Sequence, residues 1–235
     1  MEYAEFKRLA EEYSGVCKEF SQIEYILAQN LPIGDLMEVR KGMCCVLAAA
    51  FLAKNYCRQE PDSTEELNHA LFEKQHFFTA INHETRPGNR TPQETERFVY
   101  LKDIHVANRA EGQISEIQLD EVANQTIAAI TCNLLTRQSE HSDSFYCSLV
   151  HGDNPEEYAK SKIDTPGYYY ISLQGSGGHG IAVVIRSGQV EKYKLFDPNL
   201  GRAHFTSKDN LQSFFVPYLK AISTEYQIAI VRYYA

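Results

Sequence analysis

Gly177-Gly178-His179-Gly180-Ile181-Ala182-Val183-Val184-Ile185, followed after a turn by Lys194-Leu195-Phe196-Asp197-Pro198, is the stretch that decides the fold. The apolar run 181–185 has strand character, Arg186-Ser187-Gly188-Gln189 supplies a turn, and residues 190–196 read as the return strand. Folded symmetrically about Gly188, the hairpin sets His179 directly opposite Asp197, on one face and within hydrogen-bonding reach. An imidazole held by a carboxylate is two thirds of a nucleophilic triad. The rest of the chain then has to supply a nucleophile.

The surroundings of the hairpin are rich in strand formers. Gly167-Tyr168-Tyr169-Tyr170-Ile171-Ser172-Leu173, residues 202–205 and residues 228–234 read as further strands. Residues 207–222 carry the helical stripe Leu211, Phe214, Phe215, Tyr218, Leu219 and Ile222, and Pro217 is expected to kink or shorten that helix. Upstream of Pro166 the pattern is helical. Residues 2–29 place Tyr3, Phe6, Leu9 and Tyr13 at helical spacing, until Pro32-Ile33-Gly34-Asp35 breaks the run. A second helix covers 42–55. It is apolar on every face from Met43 to Leu52, which predicts burial in the middle of a domain. Asp62-Ser63-Thr64-Glu65-Glu66 starts another helix, continued by Leu67, Leu71 and Phe78, and a further one covers 119–137. Polar segments at 84–97 and 139–154 read as loops able to line a substrate groove. The layout is α+β: one domain over 1–235, mainly helical in 1–165 and sheet-rich in 166–235.

Composition narrows the function classes. The 235 residues suffice for a full core. A net charge of −8 argues against nucleic acid as a partner, since phosphate binding wants a basic face, and it mildly favours a basic partner segment. The six cysteines (Cys17, Cys44, Cys45, Cys57, Cys132, Cys147) form neither a disulfide framework nor a CxxC metal pair, and read as reduced thiols. No metal or organic cofactor is indicated. No secretory signal precedes the charged residues 1–15, and the longest apolar run, 43–53, falls short of the ~20 residues that span a bilayer. With no lipidation motif at Met1-Glu2 or at the Tyr233-Tyr234-Ala235 end, the expectation is a soluble protein. It is cytoplasmic unless another export route carries it.

Cys44 is the candidate nucleophile. It follows Gly42 at a helix start, where the helix dipole and unsatisfied N–H groups favour thiolate. Cys45 is the rival, since consecutive helical residues point about 100° apart and only one can face His179. Cys17, after Gly15-Val16, lies inside a longer helical pattern. Buried cysteines usually only pack, which is the reading for Cys57, Cys132 and Cys147 as well. The other histidines, His69, His76, His83, His105, His141, His151 and His204, read as surface or filler.

Gly42-Met43-Cys44-Cys45-Val46-Leu47, Gly178-His179-Gly180-Ile181-Ala182 and Leu195-Phe196-Asp197-Pro198-Asn199-Leu200-Gly201 together resemble the YopT-like cysteine protease family of bacterial effectors. The resemblance is densest over 167–205. It implies a papain-like fold, with a nucleophile helix packed on a C-terminal antiparallel sheet. It implies Cys44 as nucleophile, His179 as general base and acid, and Asp197 as the residue that orients the imidazole. It further implies a protein substrate, from a host cell if the chain is an injected effector. Papain-like enzymes place an amide five or six residues before the cysteine to stabilise the oxyanion, and those positions here are Val39 and Glu38. Either Asn30, Gln29 or Gln22 takes that part, or the backbone N–H near Cys44 acts alone; loss of one such donor costs about 3–4 kcal/mol. Two other readings stay open. The same triad could deamidate, transglutaminate or transfer an acyl group, and a binding module could keep the fold without the chemistry.

Overall fold

The computed structural model describes residues 1–27, 43–57, 123, 124, 126, 127, 145–148, 155–175, 177–187 and 192–234. They divide into two compact units, Met1–Glu19 with Thr136–Ala235, and Phe20–Leu135.

In the first unit, seven described strands form one antiparallel sheet: β1 (Val16–Glu19), β2 (Phe145–Ser148), β3 (Gly167–Gly175), β4 (Gly178–Arg186), β5 (Lys192–Asp197), β6 (Gly201–Phe205) and β7 (Tyr226–Tyr234). Their spatial order is β1-β6-β5-β4-β3-β7-β2. β3 and β4 are buried at every interior position, which is why both read as unbroken apolar and aromatic runs instead of alternating ones. The unit also carries α1 (Tyr3–Glu12), α4 (Pro155–Lys162) and α5 (Lys208–Ile222). α5 starts where the Ser207 hydroxyl accepts the Asn210 N–H at 3.1 Å, a side-chain N-cap. Its stripe of Leu211, Phe214, Phe215, Tyr218, Leu219 and Ile222 is buried together with Phe6 and Leu9 of α1 and with Ile171, Ile181, Val183, Leu195 and Phe205 of the sheet. Each such side chain contributes roughly 1.5–3 kcal/mol by leaving water. Pro217 sits inside α5, and the helix runs past it to Ile222 instead of being shortened.

The expected helix over 2–29 is three elements. α1 ends at Glu12, Ser14 takes a left-handed backbone (φ 59°), and the chain turns back as β1 to pair with β6. Gly15 permits this turn: a Cβ there would meet the Phe205 ring at 2.6 Å. A short α2 (Gln22–Leu27) follows, in the second unit. Cys17 therefore lies on a strand near the sheet edge and not within a helix.

The second unit carries α2 and α3 (Cys44–Cys57). Every residue from Met43 to Ala53 is buried, as the all-round apolar pattern requires. The expected helix from Asp62, most of the helix expected over 119–137, and the loop at 84–97 lie outside the described residues, as do 139–144 and 149–154 of the loop expected over 139–154; its residues 145–148 are instead the strand β2, held by its ladder with β7. Among the described residues no helix is long and apolar enough to cross a membrane.

Candidate active site

β4 and β5 carry the two candidate polar residues into an apolar setting. The observed register pairs Ala182 with Phe196, Val184 with Lys194 and Arg186 with Lys192, so the hairpin is offset by two residues from one symmetric about Gly188. His179 and Asp197 are therefore not direct cross-strand partners. An even offset leaves each side chain on its original face, because side chains alternate with period two. The two still meet: His179 Nε2 lies 2.8 Å from Asp197 Oδ1, and both residues are only 3% exposed.

The carboxylate is held at both oxygens. Oδ1 also accepts the backbone N–H of Asn199 at 2.8 Å, in the turn that leads from β5 to β6. Oδ2 accepts the hydroxyl of Tyr218 at 2.7 Å, from α5. Burial alone would push the Asp197 carboxyl up. The charge of the His179 imidazole and the hydrogen bonds from His179, Tyr218 and the Asn199 amide outweigh it, holding Asp197 below the ordinary carboxylate value. The face of the imidazole is covered by Tyr226, whose ring stacks on it at 5.6 Å and 19°. With Nε2 committed to the carboxylate, Nδ1 is the nitrogen on the other side of the ring, where proton exchange with a nucleophile would occur.

Cys44 is the first residue of α3, and the first helical hydrogen bond there runs from the Leu47 N–H to the Met43 carbonyl. The Met43 N–H, one residue before the candidate nucleophile, donates to Gln22 Oε1 at 2.7 Å, and Gln22 is buried. Of the three amides weighed as oxyanion donors, Gln22 is thus anchored at the α3 N-terminus; Gln29, Asn30, Glu38 and Val39 lie outside the described residues. Cys45 is buried beside Cys44, and Cys17, Cys44 and Cys45 form no disulfide. Burial and the Glu11 carboxylate push the Cys17 thiol up to about 11, so it is a thiol and a weak nucleophile near neutral pH.

Sequence reading missed Tyr218, Tyr226 and the Asn199 amide. Tyr218 belongs to a stripe that reads as core, and the one signal was a hydroxyl among phenylalanines, which needs a partner when buried. Tyr226 lies just ahead of the expected start of the last strand and carried no signal.

The sequence model of the family described as Yersinia/Haemophilus virulence surface antigen, a peptidase family, matches residues 27–229. Among solved structures, the Pseudomonas avirulence protein AvrPphB is similar at 14% identity and a TM-score of 0.52, over 84% of this chain and 94% of that one. PatoxP, a cysteine protease-like domain of the Photorhabdus asymbiotica toxin PaTox, matches at 10% identity and a TM-score of 0.26, over 78% of this chain and 87% of that one. No curated protein sequence matches. The likeness to AvrPphB bears out the α+β, papain-like fold expected from the sequence.

Proposed function

The chain belongs to the Yersinia/Haemophilus virulence surface antigen peptidases, the YopT-like family of cysteine protease effectors, and from that membership we propose that it cuts a specific protein substrate of a host cell with Cys44, His179 and Asp197. The observation that carries the proposal is the buried His179–Asp197 pair at 2.8 Å, whose carboxylate is hydrogen-bonded at both oxygens. An imidazole bound at Nε2 in this way is fixed in tautomer and orientation, and its imidazolium form is stabilised.

In the proposed reaction the Cys44 thiol gives its proton to His179 Nδ1 and the thiolate attacks the scissile carbonyl. The imidazolium then protonates the leaving amine, and water hydrolyses the acyl-enzyme with His179 as base. The oxyanion forms against the N-terminus of α3. The Cys44 backbone N–H and the Gln22 amide, oriented by its bond to the Met43 N–H, are the donors assigned to it. Gln22 takes the part that Val39 and Glu38 cannot.

The test is to incubate the protein and its Cys44→Ser variant with a host-cell lysate and to map new protein N-termini by mass spectrometry. A small set of termini made by the parent and absent with C44S is expected. Glutamines gaining about one dalton without new termini would move the assignment to deamidation by the same triad. Neither product would leave a binding module.

A further inference from the structure

Tyr218 is a tyrosine in a place where phenylalanine would pack. Its ring is fully buried on α5, stacked on Phe214 at 5.6 Å and Phe215 at 6.3 Å and met edge-on by Phe6 at 6.0 Å. Three rings from two helices leave the phenol one direction, and its hydroxyl ends 2.7 Å from Asp197 Oδ2. Oδ1 of Asp197 meets both the His179 Nε2 and the Asn199 backbone N–H. A carboxylate held by one oxygen can still rotate about its Cβ–Cγ bond and lose that alignment.

We propose that Tyr218 is a positioning residue for the catalytic dyad: its hydroxyl pins Asp197 Oδ2, which keeps Oδ1 aimed at His179 and the imidazole in one orientation. The inference rests on the triad reading above. The phenol can only serve as a donor here, because burial and the neighbouring Asp197 charge push its own ionisation far above the ordinary tyrosine value. Among the described residues, the charged and titratable groups around this point are Asp197 from β5, His179 from β4, Tyr226 from β7 and, beyond the end of α5, Glu225, which acts on Tyr218 through its charge.

The experiment is a double-mutant cycle on the rate of iodoacetamide alkylation at Cys44, located by mass spectrometry, with Tyr218→Phe, Asp197→Ala and the pair. In the parent background Y218F should slow alkylation at pH 6.5 roughly tenfold, the usual worth of one hydrogen bond to a charged group. In the D197A background it should change the rate less than about twofold, because its only route to the site is gone. The low-pH limb of the Y218F profile, which reports formation of the Cys44 thiolate, should also move up, since an imidazolium held less firmly stabilises that thiolate less. Equal losses in both backgrounds would mean that Tyr218 only packs, and an unchanged rate in the parent background would mean that it does nothing for the site. Either result overturns this inference and leaves the triad standing. A Cys44 that reacts no faster in the parent than in His179→Ala overturns the triad and this inference with it. Should Y218F melt, 3-fluorotyrosine inserted at 218 keeps the shape with a stronger donor; the limb then moves down, and a limb that stays in place counts against the proposal.

Discussion

Two histidines on one sheet show how far the neighbours, and not the residue, decide what an imidazole can do. His179 on β4 and His204 on β6 face opposite sides: Val183 pairs with Leu195, whereas His204 pairs with Lys194. His179 is buried against a carboxylate, with a phenol behind the carboxylate and an aromatic ring over its face. His204 is exposed and shares a groove of about 300 Å³ with Lys18, Lys192, Lys194 and Arg202. Partial burial of its ring and the positive charges of Lys194, Arg202 and Lys192 lower its pKa. A ring among cations resists the proton that a general base has to accept. The neighbours of His204 disfavour its protonated form, and those of His179 include a buried carboxylate.

The largest expected effect sets the two against each other. His179→Ala should lower proteolysis by about a thousandfold or more, as loss of a triad base does. His204→Ala should leave it within about twofold; initial rates on the substrate found by N-terminal mapping compare them. Next in size is an attempt to convert the weaker site. Arg202→Glu removes a cation and adds a carboxylate beside His204, which should raise the pKa of His204 by roughly one unit or more in an NMR titration. No hydrolytic activity should appear with it. Smaller again is Tyr226→Leu, which strips the ring that stacks on His179. Aromatic stacking of this kind is worth ~0.5–1.5 kcal/mol, so a loss of about three- to tenfold in Cys44 alkylation is expected with little change in Tm. The smallest effect is on stability. A histidine whose pKa is lower folded than unfolded is neutral in both states above about pH 6.5 and is protonated first in the unfolded chain below it. Stability therefore falls as the pH drops from 6.5, and His204→Gln should flatten that fall, read from urea midpoints at pH 7.5 and 5.5.

The contrast was partly legible in the sequence. Face assignment depends on parity alone, so the apolar alternation of Tyr193 and Leu195 against Lys192 and Lys194 placed Asp197 on the side of His179 even though the pairing register was two residues out. The turn position depends on backbone choices near Gly188 that composition does not specify, and residues 188–191 lie outside the described residues. β1 was illegible for a different reason. Val16, Cys17, Lys18 and Glu19 continue the helical spacing that precedes them, and only the close approach of Gly15 to Phe205 and the ladder with β6 turn them into a strand. Tertiary pairing overrode local pattern there. The all-apolar start of α3 was read correctly because a helix buried on every side leaves no other composition open. Gln22 was one of three amides on equal footing in the sequence, and a hydrogen bond to Met43 across twenty-one positions has no local signature.

The central claim is that His179, held by Asp197, activates Cys44. The most direct measurement is alkylation of the purified protein by limiting iodoacetamide from pH 5 to 9, with each modified cysteine located by mass spectrometry, in the parent and in His179→Ala. The account predicts that Cys44 is modified first and well below pH 8, that H179A removes this advantage, and that Cys17 stays slow throughout. Six thiols reacting with ordinary pH dependence, or an early site at Cys45 in place of Cys44, would contradict it.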